Sequence, residues 1–213
     1  MLLLALAFAL AADAPAPDVT VREERGVYAV SARFVVPQPA HVVLGVLTDY
    51  EGIPRFMPGV KKSTVLERTA GTAVVEQEAL SRLMMFSKTV HLVLEISEGT
   101  DTVRFRDRSG RSFTRYEGSW RLCEVAGGTE IHYVLTAQPS FDVPEFVLKR
   151  LLKRDSGQMI ESLRREIAAS ALRRLTSASS SRAPFGYGAQ SLWTSTEAGS
   201  PASGFRRVKF NRN

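Results

Sequence analysis

Three histidines, His41, His91 and His132, and a single cysteine, Cys123, are the side chains best suited to nucleophilic or metal chemistry. A nucleophile needs a base within reach and a third group to orient that base. The sequence does not assemble such a set. His91 stands out of phase with Leu92 and Leu94, and His132 out of phase with Tyr133 and Leu135, so strand alternation turns both away from an apolar interior. His41 opens a helix and is expected to be exposed. The lone cysteine has no disulfide partner, and the histidines show no close ligand spacing, so no metal site is expected. Asp49 and Glu51 offer only two carboxylates in a turn. Asp49 is expected to accept backbone N–H bonds at the start of the short helix that follows.

A second group suits recognition better than catalysis. Tyr116, Trp120 and Tyr133 each combine a large apolar ring with a polar tip that wants a partner. They serve equally as core or as the few donors of a mostly apolar pocket, where they would orient a quinone or keto head group. Phe56-Met57-Pro58 places bulky apolar groups on a short helix, suited to a lid over a pocket mouth or to plugging the open side of a sheet. Met84, Met85 and Phe86 crowd one connection, as a second rim, a membrane-docking tip or ordinary gap filling.

The elements that must position these residues follow from periodicity. From Gly26, the residues Tyr28, Val30, Ala32, Phe34 and Val36 alternate as a strand, stopped by Pro37-Gln38-Pro39. A helix over Ala40 to Tyr50 and a second short helical turn precede strands at about 60–68, 72–80, 86–98, 102–108, 112–125 and 129–139, with glycine turns between them. From Pro144 to Leu175 the period becomes helical through Leu148, Leu152, Met159, Leu163, Ile167, Ala171 and Leu175. Arg164 lies off that stripe and is expected to be solvated, like the helix's other cations. The order describes an α+β fold, a curved antiparallel sheet around a long C-terminal helix. The sheet face toward the helix comprises Val90, Leu92, Leu94, Ile96, Val103, Phe105, Tyr116, Trp120, Leu122, Ile131, Tyr133 and Leu135. Where curvature keeps the helix from filling that face, an apolar cavity results.

The chain is 213 residues long, 44% hydrophobic and 23% charged, which excludes a fibrous or wholly disordered protein. Its formal charge of +6 is local. Residues 145–175 hold eight basic against four acidic side chains and residues 176–213 five against one, while the first 144 carry a slight acidic excess. A nucleic-acid-binding body is therefore not expected. Leu2 to Ala12 is an uncharged apolar run closed by Ala9-Leu10-Ala11, the pattern of a secretory signal, although no Lys or Arg precedes it. With the extended stretch Asp13 to Asp18, it assigns 1–18 to a signal peptide and linker, 19–175 to the domain and 176–213 to a disordered, basic, Ser/Gly-rich tail. Composition favours a solvated tail. Its Phe185, Tyr187, Trp193, Phe205 and Phe210 among cations also suit peripheral contact with an anionic membrane. The expected location is exported, in the periplasm.

The segment VPQPAHVVLGVLTDYEGIPRFMPGVKKSTVLER, residues 36–68, resembles the START-like polyketide cyclase/dehydrase (SRPBCC) superfamily, in particular its coenzyme Q-binding branch. Gly118-Ser119-Trp120-Arg121-Leu122, Gly127 to Ile131 and the Pro139 to Pro144 stretch agree in order, so the resemblance covers about 20–175. It implies the helix-grip fold, with a hydrophobic pocket or tunnel for lipid-like ligands. The expected function is an exported carrier or chaperone that binds an isoprenoid quinone or other lipid and needs no cofactor. The residues expected to line the cavity are Phe56, Met57, Leu92, Leu94, Phe105, Tyr116, Trp120, Tyr133, Leu135, Met159 and Leu163. A cyclase or dehydratase, and an interaction module with a collapsed cavity, are the alternatives.

Overall fold

The computed structural model describes residues 17–83 and 86–180. The expected export signal, most of the expected linker, Met84, Met85, the side chain of Phe86 and the chain after Ser180 lie outside the described residues. Eight antiparallel strands form one sheet in the order β1-β2-β8-β7-β6-β5-β4-β3. They are β1 (Asp18–Glu24), β2 (Val27–Val36), β3 (Val60–Thr69), β4 (Thr72–Leu83), β5 (Phe86–Glu98), β6 (Thr102–Asp107), β7 (Phe113–Val125) and β8 (Gly128–Pro139). Between β2 and β3 run α1 (Ala40–Leu47), a 3-10 turn (Tyr50–Gly52) and α2 (Ile53–Phe56); α3 (Glu145–Ser180) follows β8. The chain is thus the expected α+β helix-grip architecture. The helix α3 packs against β1 and β2 near one sheet edge and against β4 near the other, which requires the sheet to curl around it.

Strand β1 was not legible in the sequence, where its residues are split between linker and domain. Only Val19 and Val21 alternate inward in DVTVREE, and the strand sits at the sheet edge with one neighbour. Its hairpin is local chemistry. Arg25 and Gly26 both take positive φ, 53° and 78°, between Glu24 and its partner Val27, as a two-residue type I′ turn requires. Strand alternation in β2 is complete, with Tyr28, Val30, Ala32, Phe34 and Val36 all buried and the intervening residues outside.

Two expectations for α3 need correction. Its apolar stripe does not reach Leu175: Leu172 and Leu175 are exposed, and burial ends near Ala171. Arg164 is not solvated. Its side chain is only 12% exposed, its guanidinium lies 5.2 Å from the centre of the Phe34 ring, and it pairs with Glu161 at 3.4 Å. The reason is breadth of burial. Ile160 and Ser162 are enclosed together with Leu163 and Ile167, so the sheet covers more of the helix than a single stripe, and Arg164 falls within that cover. The helix also runs five residues past Leu175.

Candidate functional site

Period-two alternation and register place the inner face of the sheet residue by residue. Tyr133 stands opposite Ala32 on β2 and opposite Trp120 on β7, and Trp120 stands opposite Val103 on β6. The Trp120 and Tyr133 rings pack at 4.3 Å between centres. Further along β7, a bulge between Phe113 and Arg115 shifts the register. An extra residue turns the next side chain over, so Phe113 and Tyr116, three apart in sequence, share a face with rings 4.9 Å apart. Tyr116 also packs on Phe105, at 6.0 Å. Phe105 stands opposite Gly118, and a Cβ at that glycine would lie 2.7 Å from the ring tip while overlapping the Val134 carbonyl. The glycine leaves the space into which the Phe105 ring settles.

All the residues expected to line a cavity belong to one apolar cluster. They divide in two. Leu92, Leu94, Trp120, Tyr133, Leu135 and Leu163 are buried, whereas Phe56, Met57, Phe105, Tyr116 and Met159 are only partly buried, together with Val90 and Leu152. The second set comes from α2, the middle strands and the N-terminal half of α3, and marks where the interior reaches the surface. Sequence reasoning missed Phe113, whose position depends on the bulge, and the pair Ser63 and Gln77. Gln77 Nε2 donates to Ser63 Oγ at 3.2 Å, on the same strand face as the buried Val75. That parity, read from Ala73 and Val75 in β4, was the available signal.

The polar tips inside this cluster are neutral donors. Burial pushes the Tyr116 hydroxyl up to about 12, with the Asp107 carboxylate adding to it, and burial raises Tyr133 well above the usual phenol range. Both therefore keep their protons at physiological pH. Neither hydroxyl makes a hydrogen bond among the described residues, though Tyr133 is only 3% exposed. Neither oxygen is fully enclosed, so each can meet a partner from outside the chain. Tyr50, by contrast, donates to Glu98 Oε1 at 2.7 Å and has a structural role.

The remaining candidates fall elsewhere. His91 and His132 lie on the outer face, as alternation requires, with His132 Nε2 2.5 Å from Glu130 Oε1, and His41 is exposed. Asp49 does not cap backbone N–H groups. Its Oδ2 accepts from Arg55 Nη2 at 2.7 Å, and the absent side chain of Gly52 leaves room for that pair. The guanidinium brings a full positive charge as well as a donor, whereas a backbone N–H brings a donor alone. Among the described residues no three His, Cys, Asp or Glu side chains could hold a metal ion. Two clefts lie away from the inner face. One, of about 470 Å³, separates α1 from the C-terminal half of α3, and the other, of about 670 Å³, lies on the outer face of the sheet.

A curved antiparallel sheet gripping one long helix, with an aromatic inner face, defines the START/Bet v 1-like class of helix-grip proteins. Within that class, the chain belongs to the polyketide cyclase/dehydrase and lipid transport family, whose model matches residues 36–164. Solved structures share the fold. Human STARD10 is 12% identical, with a TM-score of 0.59 over 78% of each chain. The Zhui aromatase/cyclase of Streptomyces sp. R1128 is 16% identical, with a TM-score of 0.57 over 67% of this chain and 94% of that one. A STAR-related lipid transfer protein fragment from Xanthomonas axonopodis is 17% identical, with a TM-score of 0.56 over 72% of this chain and 99% of that one. No curated protein matches the sequence.

Proposed function

We propose that the protein binds a neutral, largely apolar ligand, an isoprenoid quinone or another lipid, between the inner face of the sheet and α3, and carries it in an exported, periplasmic setting. One observation carries this reading. The Tyr116 and Tyr133 hydroxyls are protonated donors without acceptors among the described residues, set in an apolar cluster whose neighbours Phe105, Met57 and Met159 remain partly exposed. A ligand carbonyl would supply the missing acceptor, and an apolar tail would cover these partly exposed side chains. Removing ~300 Å² of apolar ligand surface from water at ~25 cal/mol/Å² contributes ~7 kcal/mol before association costs. The proteins that share the fold include a STAR-related lipid transfer protein and an aromatase/cyclase. Phenols that hold their protons at neutral pH offer a hydrogen-bond donor but supply no phenolate to act as a general base, which favours carrier over enzyme.

The test is titration of the purified chain with a short-tailed ubiquinone analogue, followed by intrinsic tryptophan quenching, with Tyr116→Phe and Tyr133→Phe as variants. Saturable binding weakened by about tenfold when a donor is lost supports the reading. Binding that neither substitution affects, or none at all, contradicts it. The exported setting is tested separately, by fractionation and N-terminal sequencing: a mature chain starting near Ala12 is expected, and a cytosolic chain retaining Met1 removes that part of the proposal.

A further inference from the structure

The outer face of the sheet carries a groove of about 670 Å³ that the ligand reading does not use. Its side chains fall in two cross-strand rows. One row runs Thr136, Glu117, Arg106, Glu95 and Val74; the other runs Val134, Ser119, Arg104, Ser97 and Thr72. The first row is internally neutralised. Arg106 stands between Glu117 and Glu95 and bonds Glu95 at 2.8 Å; Arg108 reaches Glu95 at 3.7 Å; Arg115 pairs with Glu117. In the second row Arg104 stands between two serines, where a charge partner would have to be a carboxylate.

Arg104 is exposed and makes no ion pair or hydrogen bond among the described residues. The same holds for Arg121, which stands opposite Thr102, two residues before Arg104 on the same face. That diagonal brings strand side chains within ~7–8 Å of each other, within reach of two arginine heads closing on one ion. The hydroxyls of Ser97 and Ser119 flank Arg104 and make no hydrogen bond among the described residues either.

Two guanidinium forks and two hydroxyls supply more donors than a carboxylate can accept. A phosphate dianion, with its greater charge and additional oxygens, matches them. We propose that the end of this groove, where Arg104 lines it and Arg121 stands one cross-strand row beyond the lining, binds a small soluble phosphate, inorganic or the phosphate of a monoester, held by the two arginines with Ser97 and Ser119 completing its hydrogen bonds. The site lies across the sheet from the apolar cluster and stands whether or not that cluster binds a lipid.

The test is calorimetric titration of the full chain with inorganic phosphate at low salt, for the wild type, Arg104→Gln, Ser119→Ala and Arg25→Gln, each first shown by circular dichroism to be folded. Saturable binding is expected, weakened by about tenfold or more in Arg104→Gln, because a charge-assisted contact is worth ~1.5–3 kcal/mol. Ser119→Ala is expected to weaken it less. Arg25 lies in the β1–β2 turn, away from the groove, and its loss should change nothing. Absence of saturable phosphate binding overturns the proposal. So does binding that Arg104→Gln leaves unchanged, or that Arg25→Gln weakens equally. Association with phosphatidylglycerol vesicles but not with phosphate also overturns it, since a surface rather than a small ion would then be the ligand.

Discussion

Leu163 and Met159 lie one turn apart on α3, yet the account assigns them different work. Leu163 has no exposed surface and is enclosed with Ile160 and Ile167, whereas Met159 is only partly buried. Truncating a buried leucine removes its transfer energy and leaves a cavity whose cost depends on how far the surroundings relax. Relaxation here is restricted, because α3 is tied to β4 through Ser81 and Asp155 and to β2 through Arg164 over Phe34. Leu163→Ala should therefore fall in the upper half of the usual range, ~3–5 kcal/mol, and lower Tm by ~6–20 °C for a domain of this size. Met159→Ala gives up a side chain already partly in water and should cost only ~1–2 kcal/mol. Ligand reverses the ranking. A saturating apolar ligand at about a hundred times its Kd adds ~2.7 kcal/mol to the wild type. Leu163→Ala should keep most of that gain, and Met159→Ala should lose about half. Urea unfolding of both variants, with and without a ubiquinone analogue, measures all four numbers. Similar losses in the two variants, with ligand increments like that of the wild type, would refute the division of the helix into a packed and a ligand-facing part.

Three further outcomes are expected. Gly118→Ala should cost ~2–3 kcal/mol or prevent folding, since the new Cβ meets the Val134 carbonyl and the Phe105 ring, whereas Gly45→Ala should stay within ~1 kcal/mol because its obstacle, 2.8 Å away, is the movable Arg174 head; paired thermal unfolding checks both. Arg164→Ala should cost ~1–2 kcal/mol and the exposed Arg150→Ala under ~0.5, read from denaturation midpoints at constant slope. Hydrogen bonds from Arg33, and then from His132, hold the Glu130 carboxyl below the usual glutamate range. A depressed folded value means stability that is present above the unfolded value near 4.5 and fades as pH falls through the folded one. The gap between wild type and Glu130→Gln should therefore be full at neutral pH and close on acidification, and a gap independent of pH would dismiss the pair.

Much of the fold was legible because strand alternation survives wherever one face is buried. Tyr28 to Val36, Leu92 to Ile96 and Ile131 to Leu135 read directly as inner residues, and the inner face assembled from them is the one the structure shows. What failed to show were features set by neighbours far away in sequence. The edge strand β1 has too few apolar residues to announce itself and depends on β2 for pairing. Phe113 reaches the inner face only through a bulge, and a single extra residue defeats period-two reading. Arg164 looked like the other helix cations until the breadth of the sheet over α3 became visible. Asp49 found a cation in Arg55, six residues on, that no capping rule anticipates.

The central claim, a ligand-holding interior behind Tyr116 and Tyr133, is most directly tested by native mass spectrometry of the full chain purified without detergent. The account predicts a population heavier than the polypeptide by the mass of a lipid or quinone, released on organic extraction and reduced in the Tyr116→Phe/Tyr133→Phe double variant. A folded protein that repeatedly appears at the bare polypeptide mass, and takes up no quinone or fatty acid when these are added, would contradict it.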